Sequence, residues 1–254
     1  MQITTTPDPS PYGSANPAGQ IDQADVGNEL LRRLDPAAFA LLQPHLRREP
    51  LIEDQVVASA GEPVELVCFP EGGVVGLADV LTDGRRLAIG LVGREGFLGW
   101  PILMGSNRWP HDAVARAQNS TAIWLDSSRL LEALATSPSL RDLLLRFVTT
   151  IMAQMARTIV SNLIQSVECR TARWILLYHD RVLGDEVTIT HEELGIMLGV
   201  RRSSVTDALH ELEGKGAIKG LRGRLVIRDR TQLQALAGEA YGFPEAEYQR
   251  LIAS

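Results

Sequence analysis

The chain has 254 residues, 45% hydrophobic and 22% charged, with a formal net charge of −6. That is enough apolar material for a sizeable core and two domains. No continuous apolar run approaches the roughly 20 residues of a membrane span, and the N-terminus lacks a basic start followed by an apolar stretch, so a cytoplasmic protein is expected.

The first 22 residues are rich in Pro, Ser, Thr and Gly, and are expected to form a disordered tail because they bury too little to offset the entropy of ordering. From Val26 to Leu46 apolar residues recur at three and four, which predicts two short helices punctuated by Asp35-Pro36 and Pro44. Between Leu51 and Asp126 the period becomes two, with Gly, Pro and Asp83-Gly84 between short apolar runs; this predicts a small antiparallel roll or sandwich over residues 23–137. Asp83-Gly84 suits a tight hairpin, and further strands are expected at Ala113–Ala117 and Thr121–Leu125.

From Ser139 the pattern "SLRDLLLRFVTTIMAQMARTIVSNLIQ" places Leu140, Leu144, Phe147, Ile151, Met155 and Ile159 at helical spacing, so residues 138–165 are expected to form one long helix. Leu143, Val148, Met152 and Leu163 widen its apolar surface beyond one stripe. One face can cover the β-domain and the other a second copy of the same helix, with Ile151 in the seam; the alternative is a helix internal to one monomer.

Residues 166–244 carry the signature of a winged helix-turn-helix. In "ITHEELGIMLGVRRSSVTDALHELEGKG" Thr190 and Glu193 form a capping box, Leu194, Met197 and Leu198 an apolar face, and Gly199 a left-handed exit. After the turn, Val205, Leu209 and Leu212 predict a second amphipathic helix whose outer face carries Arg201, Arg202, Ser203, Ser204, Thr206, Asp207 and His210. "AIKGLRGRLVIRD" then reads as a hairpin with Arg222 and Arg224 near its tip. Gly199–Arg230 holds eight basic and four acidic side chains, a local balance of +4 that leaves −10 for the rest of the chain. Double-stranded DNA is therefore the expected partner of an acidic protein, since phosphate attraction depends on the local face.

The whole pattern, an α+β chain with a β-roll, a long helix and a C-terminal winged helix, resembles the Crp/Fnr family of bacterial transcription regulators. The helix-turn-helix carries most of the resemblance; "FPEGGVVGL", "DGRR" and "VGREGFLG" carry the rest. The resemblance implies a homodimer, a sensory domain similar to cyclic-nucleotide-binding domains, palindromic promoter sites, and RNA polymerase as a partner. It also implies where an effector would sit, around Arg94, Phe97, His111 and Asp112. The family's Gly-Glu-Leu turn for the ribose is here Gly96-Phe97-Leu98, and His111-Asp112 stand where an Arg-Ser pair would hold the cyclic phosphate. A carboxylate repels a phosphodiester and Phe97 accepts no hydrogen bond, so cyclic AMP is not the expected effector, and which ligand the roll takes, if any, stays open. In the recognition helix Arg202 keeps the family's first Arg, while Ser203 and Asp207 replace a Glu and an Arg.

Two cysteines, Cys68 and Cys169, are too few for a disulfide framework, for a four-thiolate zinc or iron–sulfur site, or for the cysteine cluster of the family's oxygen sensors. Five scattered histidines and no nucleophile elbow, P-loop or His-Glu-x-x-His argue against an enzyme, a metal site or any cofactor, haem on His111 included. A rival reading keeps the winged helix as a contact for a protein partner; steep salt dependence would separate DNA from that.

Overall fold

In the computed structural model residues 20–116 and 120–253 are described; the expected tail up to residue 19, and the end of the strand at Ala117, lie outside them. The folded chain begins ahead of residue 23. Ile21 packs on the β-roll core and its carbonyl accepts a hydrogen bond from Gln43 Nε2 at 2.8 Å. One apolar side chain and one backbone bond seat a segment whose composition alone predicts no order.

Helices α1 (Glu29–Arg33) and α2 (Pro36–Leu42) start at the side-chain caps Asn28 and Asp35. Asn28 is wholly buried. Its Oδ1 accepts from the amides of Leu30 and Leu31, and its Nδ2 donates to the carbonyls of Pro70 and Gly96, so one amide fixes α1 to the roll.

The roll comprises β1 (Arg47–Leu51), β2 (Val56–Ala58), β3 (Leu66–Pro70), β4 (Val75–Val80), β5 (Arg86–Val92), β6 (Asp112–Ala115) and β7 (Ser120–Asp126). They form two antiparallel sheets, ordered β1-β7-β3 and β2-β6-β4-β5. The β4–β5 turn is a three-residue loop rather than the tightest kind: Gly84 N donates to Leu81 O, Leu81 N to Arg85 O, and Gly84 takes φ +83°. Phe69, Phe97 and Phe147 stack in the core, with centroids 5.4 and 5.5 Å apart.

Helices α3 (Ser127–Thr136) and α4 (Pro138–Ile164) follow. By length and mean hydropathy, 1.4, α4 is long and apolar enough to cross a membrane, although it holds no continuous apolar run. Its small Thr, Ser, Ala and Gln residues dilute the charged ones without forming an unbroken apolar run. Leu140, Leu144, Phe147 and Ile151 pack on the roll. Ile151 is 2% exposed, buried against its own roll, so it does not line a free seam as expected from helical spacing. Its outward apolar residues include Met152, Ile159, Leu163 and Ile164, at 61%, 62%, 78% and 70% exposure.

The C-terminal unit contains α5 (Val167–His179), β8 (Glu186–Thr188), α6 (His191–Leu198), α7 (Arg202–Gly214), β9 (Ile218–Leu221), β10 (Arg224–Ile227) and α8 (Arg230–Ala237), with a three-stranded sheet ordered β8-β10-β9. Its core, built on Trp174, Tyr178, Leu194 and Leu209, also takes in Val74, Ala88 and Leu91 of the roll. Across the expected boundary at 244, helix α9 (Phe243–Tyr248) and a final turn, Gln249–Ala253, return to the roll: Ile252 joins its core and Tyr248 Oη donates to Glu29 at 3.3 Å.

Candidate nucleic-acid interface

The helix-turn-helix is held by local polar bonds and by glycine where no side chain fits. Thr190 caps α6 and Glu193 returns to the Thr190 amide at 2.7 Å, completing the capping box. Gly199 leaves α6 at φ +65°, and a Cβ on Gly195 would crowd the Val200 carbonyl of the turn at 3.2 Å. Arg170 from α5 donates to Leu198 O at 3.0 Å, satisfying a carbonyl at the end of α6.

Helix α7 buries Val205, Ala208, Leu209 and Leu212 and presents Arg201, Arg202, Ser203, Asp207 and His210 to solvent. Ser204 and Thr206 are half-buried. Thr206 is engaged within the protein, its Oγ1 donating to Arg202 O and lying 3.1 Å from His191 Nδ1. The N-terminus of α7 has an Arg as N-cap with no side-chain bond to its free amides, and a second Arg follows. Positive charge at that end opposes the helix dipole; it becomes favourable when an anion arrives to meet both the amides and the guanidinium groups. On the wing, Arg222 stands in the β9–β10 turn beside Gly223 (φ +75°), while Arg224 pairs with Glu186 of β8 at 2.8 Å, both half exposed. An exposed pair of that kind gives way to a phosphate at small cost.

The four side chains expected around an effector are not brought into one pocket. Phe97 is fully buried within the aromatic core. Arg94 pairs with Glu29 at 3.2 Å and lines a cavity of about 380 Å³ between the roll, α4, the start of α8 and the C-terminal segment. Across this cavity Arg181 meets Glu95 at 2.8 Å; burial opposes its charge, yet Glu95 and Asp180 hold it above the ordinary arginine value. His111 and Asp112 lie elsewhere, at the start of β6. His111 packs on Trp100, with centroids 5.7 Å apart, and burial lowers its pKa despite Asp79 and Asp112. Asp112 accepts from the Ala60 amide at 2.9 Å. Alignment against a motif gives positions along the chain; the cross-strand bonds that turn each side chain inward or outward are not visible in it.

A model of the cyclic nucleotide-binding domain matches residues 48–137, and one of the Crp-like helix-turn-helix domain matches residues 169–236. The chain belongs to the Crp/Fnr family. Solved structures share the fold of this Crp/Fnr protein: a CRP-family transcriptional regulator from Thermus thermophilus (23% identity, TM-score 0.63, covering 77% of this chain and 98% of that one) and FixK2 from Bradyrhizobium japonicum (19%, 0.67, 77% and 99%). The c-di-GMP responsive regulator CLP from Xanthomonas campestris is similar too (20%, 0.60, 76% and 99%). No curated protein matches the chain by sequence. The β-roll and helix-turn-helix thus make up a DNA-binding transcriptional regulator with a cyclic-nucleotide-binding-like domain. Two features are missing from the sequence-based expectations. Strand β8 is only three residues long, and the returning segment Phe243–Ala253 shows its role only through distant partners.

Proposed function

We propose that this regulator binds a palindromic promoter site as a homodimer paired through α4, with Arg202 reading a base and Arg222 and Arg224 contacting phosphates. The observation that carries the reading is the uncapped, doubly basic N-terminus of α7, which is unfavourable in the free protein and favourable only against an anion. Arg202 has the forked guanidinium that bonds guanine O6 and N7 together. The outward Met152, Ile159 and Leu163 recur at seven and four residues along α4, a seam suited to the same helix of a second copy. Half-sites then lie about one helical turn apart. RNA polymerase and a cytoplasmic location follow from the family role.

Cyclic AMP bound in the family's usual way is not the effector: Phe97, which aligns with the family's ribose contact, is stacked in the core, and Asp112, which aligns with its phosphate contact, is an acid whose carboxylate accepts from the Ala60 amide. The signal would be another ligand or a protein partner. The test uses duplexes selected from a random library by the wild-type chain. Arg202→Ala should cost about 1–3 kcal/mol per half-site and relax one symmetric base pair. Arg222→Ala and Arg224→Ala should weaken selected and scrambled duplexes alike. Equal loss on both duplexes for Arg202→Ala would reduce that residue to a phosphate clamp.

A further inference from the structure

The Asp83-Gly84-Arg85-Arg86 motif has no part in the roll's core, yet the fold carries it to the helix-turn-helix. The β4–β5 hairpin leans on α6: Leu87 Cδ2 lies 3.3 Å from where a Cβ on Gly199 would be, and Ala88 and Leu91 are buried in the core of the DNA-binding unit. The hairpin is therefore fixed beside the turn into α7. Arg85 and Arg86 border the same open groove, about 940 Å³, as Arg201 and Arg202, and among the described residues Glu192 is the only carboxylate lining it. All four arginines are exposed. Arg85 bonds Asp83 at 2.8 Å in an exposed pair, Arg86 reaches Asp112 only at 3.8 Å, and no ion pair is seen for Arg201 or Arg202 among the described residues. Four guanidinium groups around one groove repel one another, and a phosphate backbone relieves that repulsion.

We infer that Arg85 and Arg86 contact DNA phosphates, so that the nucleic-acid surface extends from the helix-turn-helix onto the sensor domain. The inference rests on the DNA-binding reading above. It also gives the sensor a direct route to affinity: any shift of β5 moves two phosphate contacts as well as α6.

The test measures binding of the full chain to a 40-base-pair duplex selected by the wild type, across 50–200 mM salt. Arg85→Ala/Arg86→Ala should lower the slope of log affinity against log salt by about 1 per arginine in each half-site, so that each lost contact removes about 3.5-fold of the fall over that range. Arg85→Lys/Arg86→Lys should keep the slope, since phosphate attraction needs the charge rather than the fork. Unfolding midpoints of both variants should match the wild type, both positions being exposed. An unchanged slope in the alanine variant, or tighter binding from a hairpin that obstructs DNA, overturns the inference while wild-type binding stands. Failure of the wild type to select any duplex overturns the DNA-binding reading itself.

Discussion

Replacing Gln154 by Leu should destabilise the protein by about 1–5 kcal/mol. Gln154 is 5% exposed on α4 and closes the outer edge of β5: its Oε1 accepts from Leu91 N at 2.7 Å and its Nε2 donates to Leu91 O at 3.2 Å. Strand β5 ends its sheet, so these two backbone groups depend on the amide. Leu fills a similar volume but leaves a buried N–H and a buried C=O unpaired, at about 1–3 kcal/mol each, partly offset by about 1 kcal/mol of extra apolar burial. Urea unfolding would measure the loss, and hydrogen exchange at the Leu91 amide would locate it. A loss below about 1 kcal/mol with Leu91 protection unchanged would refute the idea that α4 serves as the missing neighbour of β5.

Other substitutions should read out separate parts of the structure. Gly96→Ala would place a Cβ 2.2 Å from Phe147 Cζ, and should cost at least about 1–3 kcal/mol through overpacking, recovered in part by Phe147→Leu; equal unfolding midpoints for wild type and Gly96→Ala would contradict this. Ile159→Glu, outward on α4, should convert dimers to monomers in light scattering, whereas Ile151→Glu should lower stability first because that side chain packs on its own roll. His111 has a lowered pKa in the fold, so the unfolded chain takes up its proton first as pH falls below the ordinary value of about 6.5, and stability drops from there toward the folded value. His111→Leu should flatten stability between pH 7.5 and 5.5 in urea titrations, and an unchanged slope would show that other groups carry the dependence.

What was legible in the sequence was local chemistry. Thr190 with Glu193, Asp35 with Pro36, and Gly199 mark helix ends through bonds made within a few residues, and the structure has each of them. The α4 pattern gave the helix but not its two faces. Ile151 and Met152 are neighbours of like character, and only packing against the roll makes Ile151 the buried one. The effector residues failed for a similar reason: Arg94 turns to Glu29, 65 positions away in sequence, and His111 turns to Trp100. Long-range partners choose among side-chain directions that a local pattern leaves equal.

The helix-turn-helix shows the opposite relation between local rules and function. Elsewhere the capping rule is widely kept: Asn28, Asp35, Ser137, Ser166, Thr190 and Asp229 each satisfy an amide at a helix start. Helices α3 and α9 lack such a bond, yet the N-cap of α3 is Asp126, a carboxylate suited to the positive end of the dipole, and at α9 Glu245 in the first turn accepts from the Gly242 amide at 2.8 Å. At α7 the cap is Arg201, no side chain meets the first amides, and a second arginine adds charge to that same positive end. A Ser or Asp there would stabilise the free protein by about 1 kcal/mol and would compete with DNA for the same amides. On the proposed DNA-binding reading, the stability given up at that end is recovered when phosphate or base acceptors occupy it, and the break in the capping rule would mark that surface.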